Sequence, residues 1–224
     1  MSTKVNVWLG YFFLALIMSL MLFLGAGTVR FWQAWVYLVV FFGSTLAITL
    51  YLGEKDPALL ARRASGGFTA EKRAAEKVIM LFASLGFTGL ILIPGLDRRW
   101  HWSYVPAWLT ILGYLLFIIG WIIIFFVLRV NSYAASTIDI ASDQKVITTG
   151  PYAVIRHPMY AGAFLYCLGT PLGLGSYWGF LGLAFMLPFL IWRIFDEEKF
   201  LSQNLAGYTD YCGRVRRRLI PKIF

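Results

Sequence analysis

"VPAWLTILGYLLFIIGWIIIFFVL", residues 105 to 128, carries no charged side chain. As a helix it reaches about 36 Å at 1.5 Å per residue, more than the ~30 Å of hydrocarbon in a bilayer. Five further segments separate at charged or Pro/Gly-rich joints: Val7–Leu24, Trp32–Leu52, Val78–Leu96, Met159–Leu174 and Trp178–Ile194. The first three of these are also long enough to cross. The last two are short, and "GLGSYW" between them predicts a helical hairpin that need not reach the far side as two full spans. Backbone in lipid must satisfy its own hydrogen bonds, so helix is the expected state throughout. The fold class is therefore an all-α, polytopic transmembrane bundle. Val7–Leu24 follows Lys4 as a signal peptide would, but its apolar run exceeds the usual ~7–15 residues and it is expected to remain as a span.

Composition agrees. Hydrophobic residues make up 59% of the 224 and charged residues 14%, against roughly 25% charged in a soluble domain. Of the 20 Lys and Arg, 17 fall in the joints on one side of the alternating segments and three, Arg30, Arg98 and Arg99, on the other. By the positive-inside rule both termini are expected in the cytoplasm, the chain's brevity suggesting a bacterial inner (plasma) membrane. Membrane orientation accounts for the net charge of +9 without nucleic acid. Anionic headgroups are the expected partner of "RVRRRLIPK", residues 214–222. Cys167 and Cys212 form no disulfide framework, and no metal-ligand cluster is readable. The polar stretch Glu54–Lys77 predicts two short interfacial helices around "SGG". Residues 1–77 read as an accessory transmembrane pair with its cytoplasmic loop, and 78–224 as the site-bearing core.

Two polar groupings stand out against this background. In "GPYAVIRHPMYAGAF", residues 150–164, Pro158 forbids helix through His157 and suits the first turn of the next helix. Gly150 and Pro151 add a second bend, so Thr148–His157 is expected to be irregular. Irregular backbone at membrane depth is tolerated only inside protein or beside a wet cavity. Gly162 leaves room for close approach of another group. Arg156 and His157 place a cation and a titratable donor at a helix N-terminus, where anions are favoured. The second grouping is "WRIFDEEKF", residues 192–200, with Asp196, Glu197 and Glu198 in succession. Crowded carboxylates repel and need water, a cation or a polyhydroxylated partner. A ligand with an amino acid at one end and a nucleoside at the other would satisfy both groupings.

The same residues carry a resemblance. "GPYAVIRHPMYAG", then "RIFDEEKFL", then "GYTDYCGRVRRRLIP" are similar to the isoprenylcysteine carboxyl methyltransferase family and its bacterial relatives, over roughly Leu96–Pro221, with "GLDRRWHWS" and "NSYAAS" included. The resemblance implies an integral membrane enzyme that uses S-adenosylmethionine at a cytosolic mouth. It implies that Tyr152, Arg156, His157, Tyr160, Gly162, Glu197 and Glu198 bind the cofactor, and that Arg193 and Arg218 face the methyl acceptor or steady the acids. His157 and Arg193 are the expected catalytic residues. The acceptor stays open: an isoprenylcysteine-type carboxylate needs no general base, whereas a thiol or a lipid amine needs one, for which His157 is the candidate. Two other readings share parts of the pattern. Membrane sterol and steroid reductases use NADPH with a similar Arg-His-x-x-Tyr-x-Gly element, commonly with Asn before the tyrosine and an acid after the glycine, where this chain has Met159 and Ala163. A non-enzymatic membrane scaffold or lipid-binding protein would bind neither cofactor.

Overall fold

The computed structural model describes residues 3–66, 73–135, 140 and 144–220. Eight α-helices follow one another among them: α1 (Thr3–Ala26), α2 (Trp32–Lys55), α3 (Pro57–Ala64), α4 (Ala74–Trp100), α5 (Ala107–Val130), α6 (Pro158–Gly173), α7 (Phe180–Asn204) and α8 (Tyr208–Arg214), with a short 3-10 turn at Gly150–Ala153. Four of them, α1, α2, α4 and α5, are long and apolar enough to cross a membrane. Their outward faces carry bare apolar side chains such as Phe12, Leu24, Val39 and Ile111, as lipid-facing helices do.

Helices associate in lipid through close packing and small residues rather than through hydrophobic burial. The α5–α6 pair, the most extensive contact in the bundle, is built this way. Gly113 and Gly120 of α5 face Gly162, Gly169 and Gly173 of α6 so closely that a Cβ on Gly120 would stand 2.5 Å from the Gly162 carbonyl oxygen. The α4–α7 pair repeats the device at Gly86, Gly89 and Gly182. An aromatic and aliphatic core of Leu22, Phe31, Tyr37, Phe41, Ile91 and Phe117 then ties α1 and α2 to α4 and α5.

The α6–α7 hairpin runs the length of this bundle. At its tip the Ser176 hydroxyl donates to the buried Asp97 carboxylate near the end of α4, which also accepts from the Ser103 backbone at 2.8 Å and the Ser103 hydroxyl at 2.6 Å. Exposed Trp100, Trp102, Tyr104, Trp108 and Trp178 ring that end, the residue types that favour a membrane interface.

Two boundaries that bear on the site differ from the sequence expectation. Helix α4 starts at Ala74, four residues before the apolar segment, and so includes Glu76. Helix α7 continues ten residues beyond Ile194 to Asn204, because nothing after the apolar run breaks a helix until the Gly207 turn at φ +79°. The acidic triplet is thus helix interior, not a helix end. Of the two interfacial helices expected in Glu54–Lys77, α3 is one: Asp56 caps it, accepting from the Leu59 N–H at 2.9 Å, with Pro57 in the first turn. Residues 67–72, Ser136 of "NSYAAS" and Pro221–Lys222 of the basic tail lie outside the described residues.

Candidate active site

The chain from Lys145 to His157 crosses the end of the bundle opposite Asp97. Gly150, at φ +59°, starts the 3-10 turn through Pro151 and Tyr152. His157 stands at the position just before α6, which has Pro158 in its first turn. Two backbone bonds dock the basic tail here: Arg156 N–H donates to the Arg217 carbonyl at 2.9 Å and His157 N–H to the Arg218 carbonyl at 2.8 Å. Tail and knot therefore form one unit.

Successive residues on a helix point about 100° apart, and α7 uses this to send its three acids in three directions. Asp196 pairs with Arg73 at 2.7 Å. Glu197 Oε2 accepts from the Tyr160 hydroxyl at 2.6 Å. Glu198 is taken up on both oxygens: Oε1 lies 3.2 Å from Arg156 Nε and 3.1 Å from His157 Nε2, and Oε2 lies 2.9 Å from Arg218 Nε. Asp196 and Glu198 thus meet cations supplied by the chain itself, and Glu197 meets a phenol. Burial alone would raise the Glu198 pKa, but the His157 and Arg218 hydrogen bonds, with the His157 and Arg156 charges, hold it below the ordinary glutamate value.

Between knot and acids lies a cavity of about 490 Å³. At its mouth stand Tyr152, Arg156, His157, Tyr160, Glu197 and Tyr208; from there it runs between α4, α6 and α7 past Met80, Ala83, Phe164, Cys167, Met186 and Leu190. It joins a polar chamber to an apolar limb. The Tyr152 hydroxyl accepts from Asn131 Nδ2 at 2.7 Å, and its carbonyl accepts from the Tyr211 hydroxyl at 2.8 Å. Burial, which the Asn131 hydrogen bond only partly offsets, pushes the Tyr152 phenol up to about 12, so it is neutral at physiological pH.

The expected site residues divide. Tyr152, Arg156, His157, Tyr160, Arg193 and Glu197 line the cavity. Glu198 and Arg218 stand behind its wall as a clamp on His157, with the Arg218 guanidinium also over the Phe195 ring. Gly162 departs from expectation. The groups that approach it closely are the Gly120 carbonyl and the Ile123 and Ile124 side chains of α5, and Gly162 is not among the residues that line the cavity. The two oppositely charged groupings, expected to close over a ligand, also close on each other through Arg156, His157 and Glu198.

Sequence reasoning missed Arg63, Glu76 and Asn131. Arg63 lines the cavity and donates to the Ala134 carbonyl at 2.9 Å. Glu76 is fully buried, 2.6 Å from Arg193 NH1. Both lie in Glu54–Lys77, the polar stretch read as two short interfacial helices, where charged residues are ordinary; Asn131 had its only signal in "NSYAAS".

A phospholipid methyltransferase family profile matches residues 108–207, which run from α5 to the start of α8. A probable protein-S-isoprenylcysteine O-methyltransferase of Oryza sativa subsp. indica is 30% identical over 203 residues, 84% of this chain and 95% of the rice protein. The chain belongs to the protein-S-isoprenylcysteine O-methyltransferase family. It is an integral membrane methyltransferase, and a methyl donor is required. The Schizosaccharomyces pombe member of the family is 40% identical over 75 residues, 33% of this chain and 32% of the yeast enzyme. A mouse Delta(14)-sterol reductase is 28% identical over 91 residues, 39% of this chain but only 22% of the reductase. The resemblance to the isoprenylcysteine enzymes covers nearly a whole relative; that to the reductase covers a fragment.

Proposed function

We propose that this enzyme moves the methyl group of S-adenosylmethionine to the carboxylate of an isoprenylated cysteine, at the cytoplasmic edge of the membrane. The observation that carries the reading is the mixed lining of one cavity: a polar chamber of Tyr152, Arg156, Tyr160, Arg193 and Glu197, and an apolar limb of Met80, Phe164, Met186 and Leu190. A pocket of this size falls in the roughly 300–1,000 Å³ range of small-molecule sites. Its polar chamber suits the donor: the Glu197 carboxylate is a partner for a ribose diol or an ammonium, and Arg156 for a carboxylate. The Met, Phe and Leu lining of the limb suits a prenyl chain. The donor supplies a sulfonium-activated methyl group.

What the chain's own residues contribute is placement and charge. Tyr160 lines the cavity bound between Glu197 and Arg193, and so holds both of these charged side chains in place. Arg63 and Arg193 put guanidinium groups on the lining, the charge that an acceptor carboxylate needs. An anionic acceptor and a cationic donor lose charge together as the methyl moves, so a chamber from which water is excluded favours the transfer, and alignment supplies much of the rest. A carboxylate acceptor requires no proton removal, which accords with His157 being held on Glu198. In this reading residues 78–224 form the methyltransferase core, residues 1–77 brace it, both termini face the cytoplasm of a bacterial inner membrane, and the basic tail meets anionic headgroups.

Calorimetry on the purified enzyme in lipid nanodiscs separates the cofactors: S-adenosylhomocysteine is expected to bind and NADPH not. Labelled donor is expected to yield a base-labile methyl ester on an S-prenylated cysteine, and none when its carboxylate is amidated. Methylation of phosphatidylethanolamine instead would transfer the activity to a lipid amine, as the matched family profile allows.

A further inference from the structure

Arg193 and Glu197 are four residues apart on α7, the spacing at which opposite charges meet on one helix face. Left to themselves they would pair, and the carboxylate facing the chamber would be neutralised by its own neighbour. They do not pair directly. The Arg193 NH1 group lies 2.6 Å from Glu76 Oε2 and its Nε donates to the Tyr160 oxygen at 3.0 Å. A guanidinium is a rigid planar fork, so fixing two of its nitrogens fixes its orientation. A phenol has one proton; with its oxygen accepting from Arg193, Tyr160 turns that proton to Glu197 Oε2 at 2.6 Å.

Glu76 is well placed to hold this arrangement. Its side chain has no solvent exposure. It sits in the first turn of α4, where a helix N-terminus favours negative charge. Its other oxygen takes Arg73 at 3.3 Å, and Arg73 in turn reaches Asp196 at 2.7 Å. A buried ion pair is weak as a source of stability, since apolar residues of similar volume are often as good. Four charged groups packed beside a ligand cavity, Arg73, Glu76, Arg193 and Asp196, are better explained by what they do to its lining. Glu76 also lies before residue 78 and outside the family-profile match, in the part read as accessory.

We propose that Glu76 is a positioning residue for the donor chamber, drawing Arg193 away from Glu197 and, through Tyr160, keeping the Glu197 carboxylate aimed at the donor. The inference rests on the reading of the chamber as the donor site. Its test is S-adenosylhomocysteine binding by calorimetry, on the full chain in nanodiscs, for Glu76→Gln, Arg193→Gln, the double variant and Glu197→Gln. Glu76→Gln is expected to weaken binding about tenfold as Arg193 swings onto Glu197. The double variant is expected to bind within about threefold of Arg193→Gln alone, because without the guanidinium Glu76 has nothing left to position. Wild-type affinity in Glu76→Gln, or a double-variant loss equal to the product of the single losses, overturns the proposal. Removing both members of the pair leaves no uncompensated buried charge, so the double variant should fold even if Glu76→Gln does not. In that case Glu76→Asp, which keeps the charge but shortens the reach, is expected to lose at least about threefold, and wild-type affinity there overturns the proposal equally. Undiminished binding by Glu197→Gln removes the donor-site reading itself, a result distinct from failure of Glu76 alone.

Discussion

The Glu198 carboxylate divides its oxygens between two segments, Oε1 to Arg156 and His157 of the knot and Oε2 to Arg218 of the tail. It is nine-tenths buried, and removing one member of such a cluster leaves cations without a counter-charge, at a cost of about 3 kcal/mol. Because its folded pKa is depressed, its contribution is present in full above the free glutamate value of about 4.3 and is lost as pH falls through the lower folded value. Thermal unfolding followed across that range is expected to show a steep acid limb in the wild type. Glu198→Gln should begin less stable at neutral pH and show a shallower limb; an identical limb in the variant would remove this role. Residues of this kind were legible for a simple reason. Arg156, His157 and an acid triplet are expensive in an apolar chain, so their presence there is itself a signal. Glu76, Arg63 and Asn131 gave no such signal, because each is an ordinary residue for its local stretch and acquires meaning only from a partner far along the chain.

Helix α5 turns Gly113, Phe117, Gly120 and Ile124 inward while Ile111, Leu115, Ile118 and Ile122 stay exposed. Its inner face is what sets α6 at contact distance and hence His157 and Tyr160 at the mouth of the cavity. Gly120→Val is expected to force the two backbones apart, costing about 1–3 kcal/mol as overpacking and reducing methyl transfer more than a comparable loss of stability elsewhere. Gly43→Ala is the control: nothing stands within 4 Å of the added methyl, and its better helix propensity should leave activity unchanged and stability equal or up to about 1 kcal/mol higher. Gly120→Val with full activity would detach the seam from the site. Apolar length was readable and it located every long helix. Helix ends were not, since α4 and α7 extend into polar sequence that has no breaker. The purpose of Gly162 was legible only by half: a glycine announces close approach, and the identity of the approaching group is a matter of packing.

The two ends of the molecule differ in chemistry. One carries Arg63 and Arg156 on the cavity lining, with Arg62 on the Ser132 carbonyl, Arg73 on Asp196 and Arg218 on Glu198; the other gathers Asp97, Ser103, Ser176 and a ring of tryptophans. Arg62 and Arg63 tie α3 to the Ser132 and Ala134 carbonyls after α5, so the site end is closed over by the elements that carry most of the charge. The sequence puts 17 of its 20 Lys and Arg in the joints on that side, so insertion with it inside is the orientation predicted by the positive-inside rule, and a donor made in the cytoplasm would then enter there. The prediction is topological and can be read in intact cells. In a Cys212→Ser background, Tyr104→Cys, at a site 87% exposed between α4 and α5, is expected to react with a membrane-impermeant maleimide added outside. Lys145→Cys, exposed beside the cavity mouth, is expected to react only after the membrane is opened. The reverse pattern would place the donor chamber on the side where no cytoplasmic metabolite reaches it, and the proposed cofactor would have to be abandoned even with every contact in the site unchanged.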